Sequence, residues 1–275
     1  MNKENNYNEL IGRGFTVIPG FFSPDEISMF ISDYYNQANS VNENYYLKFA
    51  SNDVARSIED KIINIVNQVR ETTGISATIM SHNLIFMDSS KSNFDWHQDH
   101  ETWYVDQHND NYLNFYIPLI KPDPVITGVT LIPYDNMDRV LPEFAARFKG
   151  SGAKRLSSNG DVTHVWNDDT GEEYDLPVNI NSLGVSPAIE AGDLLLLRGD
   201  LIHKTQDNIT NRLAITIRCL NSNHVVSKID MMSGCQVKME YIQNNLKVYN
   251  DILEIYGDQD TITVGELYKN NRVFK

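Results

Sequence analysis

Apolar residues recur in two rhythms along the chain, and the change of rhythm separates a helical front, a strand-rich middle and a helical tail. Between Val54 and Glu71, the positions Ile58, Ile62, Ile63, Ile65 and Val66 follow the period of an amphipathic helix, which Gly74 would stop. Ahead of it, Gly14-Phe15-Thr16-Val17-Ile18-Pro19-Gly20 reads as a short strand closed by a turn. Ser23-Pro24-Asp25-Glu26 then forms a capping box, with serine as cap, proline at the first helical position and glutamate reaching back. It predicts a helix from about Pro24 to about Tyr35.

From Ala77 onward, short runs of β-branched and aromatic residues are broken by Gly, Pro, Asn and Asp. The predicted strands are Ala77 to Met87, Asp95 to Gln98, Leu113 to Leu119, Gly128 to Ile132, Asp193 to Leu197 and Arg212 to Leu220. Among them, Asp135 to Ser186 is a polar insertion with a hairpin expected at Thr163 to Tyr174, and long connections of this kind shape site entrances. Helical spacing returns at Val237 to Tyr256. No repeat or proline-rich hinge divides the chain, which implies one domain over 1–275, with the insertion at about 135–186 and a helical extension from about 237. The fold class is mainly β with flanking helices, a sandwich or barrel buttressed by them.

Composition narrows the function. A chain of 275 residues with 41% hydrophobic residues can bury a real core, which excludes disorder as its main state. The 23 basic and 37 acidic residues leave a net charge of -14, which repels phosphate backbones and anionic lipid. Nucleic acid and membrane are therefore poor partners. No apolar run approaches the ~20 residues of a spanning helix, and Met1 to Leu10 is polar, so the expected location is cytoplasmic. Cys219 and Cys235 cannot build a disulfide scaffold and read as buried free thiols. There is no glycine-rich phosphate loop.

The sharpest chemistry lies in Trp96-His97-Gln98-Asp99. Alternate residues of an extended segment share a face, so His97 and Asp99 can grip one metal ion. The best third ligand is His203, which follows the apolar run Asp193 to Leu197 and the turn Arg198-Gly199-Asp200. Two imidazoles and one carboxylate leave three octahedral positions open, the pattern of non-haem Fe(II) oxygenases; zinc prefers a closed tetrahedron. His100 alternates away from His97 and His108 lies in a polar loop, so both are expected to face solvent; His164 is expected on the insertion surface and His82 in the core. Past His203, the strand Arg212 to Arg218 alternates Leu213, Ile215 and Ile217 on a packing face with Arg212, Ala214, Thr216 and Arg218 on a pocket face. An arginine fork at Arg212 with the Thr205 hydroxyl suits the distal carboxylate of a dicarboxylate.

Gly14 to Ser23, the His97-Gln98-Asp99 triplet and Gly192-Asp193 through His203, Thr205 and Arg212 together resemble the phytanoyl-CoA dioxygenase family of Fe(II)/2-oxoglutarate-dependent oxygenases. The resemblance implies a double-stranded β-helix, a cupin-like jelly roll. It implies Fe(II) on His97, Asp99 and His203, 2-oxoglutarate and O2 as cosubstrates, and Arg212 and Thr205 as carboxylate anchors, with Gln98 near the cosubstrate. Asn83 could also reach it. Related halogenases replace the carboxylate ligand by a small residue; Asp99 is present, which favours hydroxylation. Where relatives carry a Pro-Gly-Ser-His type turn this chain has Ile132-Pro133-Tyr134-Asp135-Asn136, and Val237 to Lys275 matches no motif, so the resemblance extends to the chemistry and not to the substrate. Trp103 and Tyr104, in the loop past the ligands, are candidates to touch a small-molecule substrate. Arg218 either meets an anionic substrate group or forms a structural ion pair, and Asp168-Asp169 with Glu172-Glu173 reads as a solvated acidic face. The alternatives are a non-catalytic jelly-roll binding protein and an oxygenase acting on a protein side chain.

Overall fold

The computed structural model describes residues 7–37, 40–42, 45–80, 84–88, 94–103, 107–108, 111–126, 128–206 and 210–270. Helix α1 (Asn8–Gly12) leads into β1 (Phe15–Ile18) and α2 (Pro24–Asn36), where the capping box closes as its residues require. Glu26 N donates to Ser23 Oγ at 3.3 Å and Ser23 N to Glu26 Oε2 at 2.8 Å. Strands β2 (Ser40–Asn42) and β3 (Tyr45–Phe49) carried no clear sequence signal. Helix α3 (Asn52–Thr73) slightly overruns its predicted span and ends on Gly74, whose φ of 76° is the left-handed conformation a glycine cap supplies.

The long strand predicted at Ala77 to Met87 is two pieces, β4 (Ile79–Met80) and β5 (Ile85–Asp88). Then come β6 (Leu113–Ile120) and β7 (Val129–Leu131), followed by two short helices at the head of the insertion, α4 (Tyr134–Val140) and α5 (Pro142–Ala145). The insertion continues as a three-stranded meander of β8 (Lys154–Asn159), β9 (Val162–Asn167) and β10 (Glu173–Leu176). The expected hairpin is thus the β9–β10 half of a larger unit whose first turn, at Asn159-Gly160, uses a glycine with φ of 60°. Next are β11 (Leu194–Arg198), β12 (His203–Thr205), β13 (Leu213–Leu220) and β14 (Val225–Ser227). The tail holds α6 (Lys228–Met232), α7 (Gln236–Asn244), α8 (Leu246–Tyr256), β15 (Thr261–Thr263) and α9 (Val264–Asn270), so the single helix expected from Val237 is broken at Asn245.

Antiparallel pairing orders the main sheet β1-β11-β6-β13-β5-β3-β2, with β4 also on β13. The opposing sheet is built from β10-β9-β8 and β12-β7, and the ligand segment joins the two: His97 bridges Arg155 on one side and His203 on the other. Sequence predicts a strand at Asp95 to Gln98; the structure gives this segment isolated bridges only, since the pairing on each side is confined to His97. Together the two sheets make the double-stranded β-helix.

The predicted alternation on β13 holds. Leu213, Ile215, Ile217 and Cys219 join the core beneath α2 and α3, while Ala214 turns into the sandwich with Phe15, Tyr116, Leu195, Leu197 and Leu131. A third cluster fills the insertion and a fourth lies under the tail helices. At Gly199, a Cβ would lie 1.8 Å from Tyr112 Cδ1, whose ring covers the turn ahead of His203. Gly199→Ala is expected to lose about 1–3 kcal/mol through overpacking, read as a lowered denaturation midpoint. An unchanged midpoint would mean that the ring can move aside.

Candidate metal centre

His97, Asp99 and His203 converge: one potential ligand atom from each lies within 4.8 Å of the others, with Asp99 buried and both imidazoles half-buried. His97 Nε2 is 3.6 Å and His203 Nε2 3.8 Å from the same Asp99 Oδ1, and the two rings are 4.3 Å apart. Local backbone sets the imidazoles. His97 Nδ1 is 2.7 Å from Asp95 O, and His203 Nδ1 is 2.9 Å from Leu201 O. A carbonyl oxygen only accepts, so each Nδ1 carries a proton and each Nε2 is directed at the carboxylate. This fits a divalent metal.

The electrostatics point the same way. Burial opposes the Asp99 charge, but the His97 contact and the charges of His203 and Arg218 outweigh it and hold the carboxyl well below the usual carboxylate range. Burial, together with the charge of His97, pushes His203 down to about 4 and keeps it neutral near pH 7. For His97, burial acts downward but the Asp99 carboxylate more than offsets it, and the net shift is upward. An anionic oxygen between two imidazoles is the charge pattern a dication replaces protons in.

Partners that sequence reading missed hold this geometry. Asn114, a polar residue turned inward from the otherwise apolar β6, donates Nδ2 to Asp99 Oδ2 at 2.6 Å. That leaves Oδ1 to the imidazoles. Gln98 is fully buried on the opposite face of the segment, where Nε2 donates to Phe148 O at 2.8 Å and Asp200 O at 2.5 Å. Gln98, expected near the cosubstrate, thus points away from His97 and Asp99, as alternation along an extended segment requires. Asp200 is fully buried and accepts from Tyr134 Oη, from Arg198 Nε and Nη2 at 3.0 Å each, and from Gly150 N at 2.6 Å.

Arg212 is buried at 3% exposure at the head of β13. Thr205 accepts from Phe94 N at 3.1 Å through its hydroxyl oxygen, leaving the hydroxyl proton to be donated. Arg218 Nε pairs with Glu101 Oε1 at 2.7 Å, the ion-pair alternative of the two expected. Trp103 is not in an open loop: it is buried in a 3-10 turn, Glu101–Trp103, against His100 and Tyr241. Asn83, Tyr104 and His82 lie outside the described residues.

His108 is exposed and His164 sits on the insertion surface bonded to Asp175, as expected. His100, expected in solvent, instead bonds Asp168 Oδ2 at 3.1 Å. Asp168 is itself buried between His100 and Arg155, and Asp169 binds the buried Lys238 Nζ at 2.6 Å, so half of the supposed solvated acidic face is structural. Glu172 and Glu173 remain exposed. Cys219 is a buried free thiol, and Cys235 is half-buried, donating Sγ–H to Asp168 O at 3.0 Å. Among the described residues no helix is long and apolar enough to cross a membrane.

A family model for phytanoyl-CoA dioxygenase (PhyH) matches residues 12–215. No curated protein matches the chain. Among solved structures, EctD from S. alaskensis, crystallised with 2-oxoglutarate and 5-hydroxyectoine, is similar at 15% identity over 82% of this chain and 78% of that one, with a TM-score of 0.50. That likeness is one of fold. EvdO2 from Micromonospora carbonacea var. aurantiaca is 14% identical over 80% and 91% of the two chains, with a TM-score of 0.49. HygX from Streptomyces hygroscopicus, crystallised with nickel, 2-oxoglutarate and hygromycin B, is 16% identical over 80% and 87%, with a TM-score of 0.46.

Proposed function

The chain belongs to the phytanoyl-CoA dioxygenase family, and from that premise we propose that it is an Fe(II)- and 2-oxoglutarate-dependent oxygenase that hydroxylates an unactivated C–H bond of a small molecule. The observation that carries this reading is the convergence of two Nδ1-anchored imidazoles on one oxygen of Asp99. Bound there, iron with 2-oxoglutarate and dioxygen supplies the oxidising power, with succinate and carbon dioxide as coproducts.

The protein's part is orientation. The carbonyls of Asp95 and Leu201 aim the imidazoles, and Asn114 aims the carboxylate. The Arg212 guanidinium and the Thr205 hydroxyl hold the distal carboxylate of 2-oxoglutarate, on the inward face of β13. The sandwich filling of Tyr116, Leu131, Leu195 and Ala214 is apolar and keeps water from that side. Retention of Asp99, in place of the small residue a halide site needs, supports hydroxylation over halogenation.

Anaerobic addition of Fe(II) and 2-oxoglutarate should produce the weak visible charge-transfer band of the ternary complex, lost in His97→Ala. No band in the unaltered protein would overturn the reading and favour a jelly-roll binding protein. Arg212→Ala should weaken 2-oxoglutarate by about 2–3 kcal/mol, or ~30- to 150-fold, while the metal stays bound. Titration of the band with 2-oxoglutarate measures it; an unchanged midpoint would transfer the anchoring role to another cation.

A further inference from the structure

Beside the metal centre is a cavity of about 510 Å³, bounded by the 3-10 turn after Asp99, the Gly150-Ser151-Gly152 loop and the junction of α6 with α7. Its size is that of a small-molecule site. Its chemistry is unusual for one. Among the described residues no aliphatic side chain, lysine or arginine lines it; the walls include Thr102, Gln107, His108, Asn167, Asp169 and Asp230, with glycine backbone between them. Asp169 is neutralised from behind by the buried Lys238, whereas Asp230 is exposed and no cation among the described residues pairs with its carboxylate. The N-cap of α7, Cys235, also borders the space.

The cavity and the ligands share structure. Ala153, next to the glycine loop, donates N to Asp99 O at 2.7 Å and accepts from Asp168 N at 2.8 Å. The shared wall also holds unspent hydrogen-bonding capacity. Thr102, the residue of the 3-10 turn that lines the cavity, carries a buried hydroxyl oxygen with no partner among the described residues. Buried polar atoms are normally paired, so this hydroxyl marks a place where a ligand's hydroxyl group completes the bonding.

We propose that this cavity is the substrate-recognition site and that it takes a polyhydroxylated small molecule carrying a protonated amine, of the amino-sugar class. Hydroxyls meet Thr102, Asn167 and the backbone, and the ammonium meets Asp230. Among the described residues a coenzyme A ester finds no lysine or arginine for its phosphates and no hydrocarbon for its acyl chain here. The assignment rests on the oxygenase reading, since only then does the neighbouring metal act on what the cavity holds.

The probes are glucosamine disaccharide, its N-acetylated form and coenzyme A, each titrated at physiological salt against the Fe(II)- and 2-oxoglutarate-loaded protein under anaerobic conditions, with saturation-transfer NMR as readout. The amine form should bind, the acetylated form about tenfold more weakly, and coenzyme A not at all. Asp230→Asn should bring the amine form down to the acetylated one, while Glu71→Gln, a remote exposed acid on α3, should leave it unchanged. Equal affinity of both sugar forms, equal loss in the two variants, binding of coenzyme A or no sugar binding would each overturn the proposal. Substrate-free succinate release by the unaltered protein is measured in parallel. If it is present without sugar binding, the substrate class fails alone; if it is absent, the oxygenase reading fails with it.

Discussion

Replacing Asp99 by alanine should remove metal-dependent succinate release, by well over a hundredfold. Loss of a group that merely orients a ligand costs ~10- to 100-fold in metal affinity or activity, and Asp99 is proposed as a ligand and is the set's single negative charge. The variant also strands the Asn114 amide, whose bond to Oδ2 now aims the carboxylate. Asn114→Ala should fall inside the milder range, because it disturbs the aim and spares the donor. Cobalt titration followed by its visible absorption separates the two effects from unfolding, since far-UV circular dichroism should not change in either variant. Residual release within tenfold of the unaltered protein would show that Asp99 is not a ligand.

The largest loss of stability is expected at Asp200. Its carboxylate is fully buried and takes hydrogen bonds from Tyr134, Arg198 and the Gly150 amide, while its carbonyl takes one from Gln98. Asp200→Ala leaves a largely buried guanidinium, a hydroxyl and an amide without their acceptor, a loss of about 3–5 kcal/mol by the rule for half-removed buried ion pairs. For a chain of this size the melting temperature should fall by roughly 10 °C. The same change frees the turn ahead of His203, so metal affinity should drop even below the melting range. A melting temperature within a degree or two of the unaltered protein would refute the assignment.

Local patterns were readable where the answer depended only on neighbours in the chain. The capping box at Ser23, the apolar period of α3 and the alternation of β13 each depend on a few consecutive residues, and each appears in the fold. The convergence of His97, Asp99 and His203 was readable because the His-x-Asp spacing and the apolar run before His203 carry their own geometry. What was hidden depends on partners far along the chain. Asp168 and Asp169 look like surface acids until Arg155, His100 and Lys238 arrive from other elements. Gln98 sits between two ligands, which suggested a role beside them; only the positions of Phe148 and Asp200 show which way it faces. Strand β8 was missed because Lys154–Asn159 is polar at every position but Leu156; its burial comes from packing against the insertion's own small core.

Because Gln98 N reaches Lys154 O, Leu156 N reaches Trp96 O and His97 exchanges both backbone bonds with His203, the meander is a neighbour of the ligand segment rather than an ornament on it. An attempt to trim the enzyme to a minimal catalytic scaffold by excising residues 150–176 would unzip one flank of the very stretch that presents His97 and Asp99. The segment would become an exposed edge, and the excision would cost the protein its chemistry before it cost the rest of the barrel its shape.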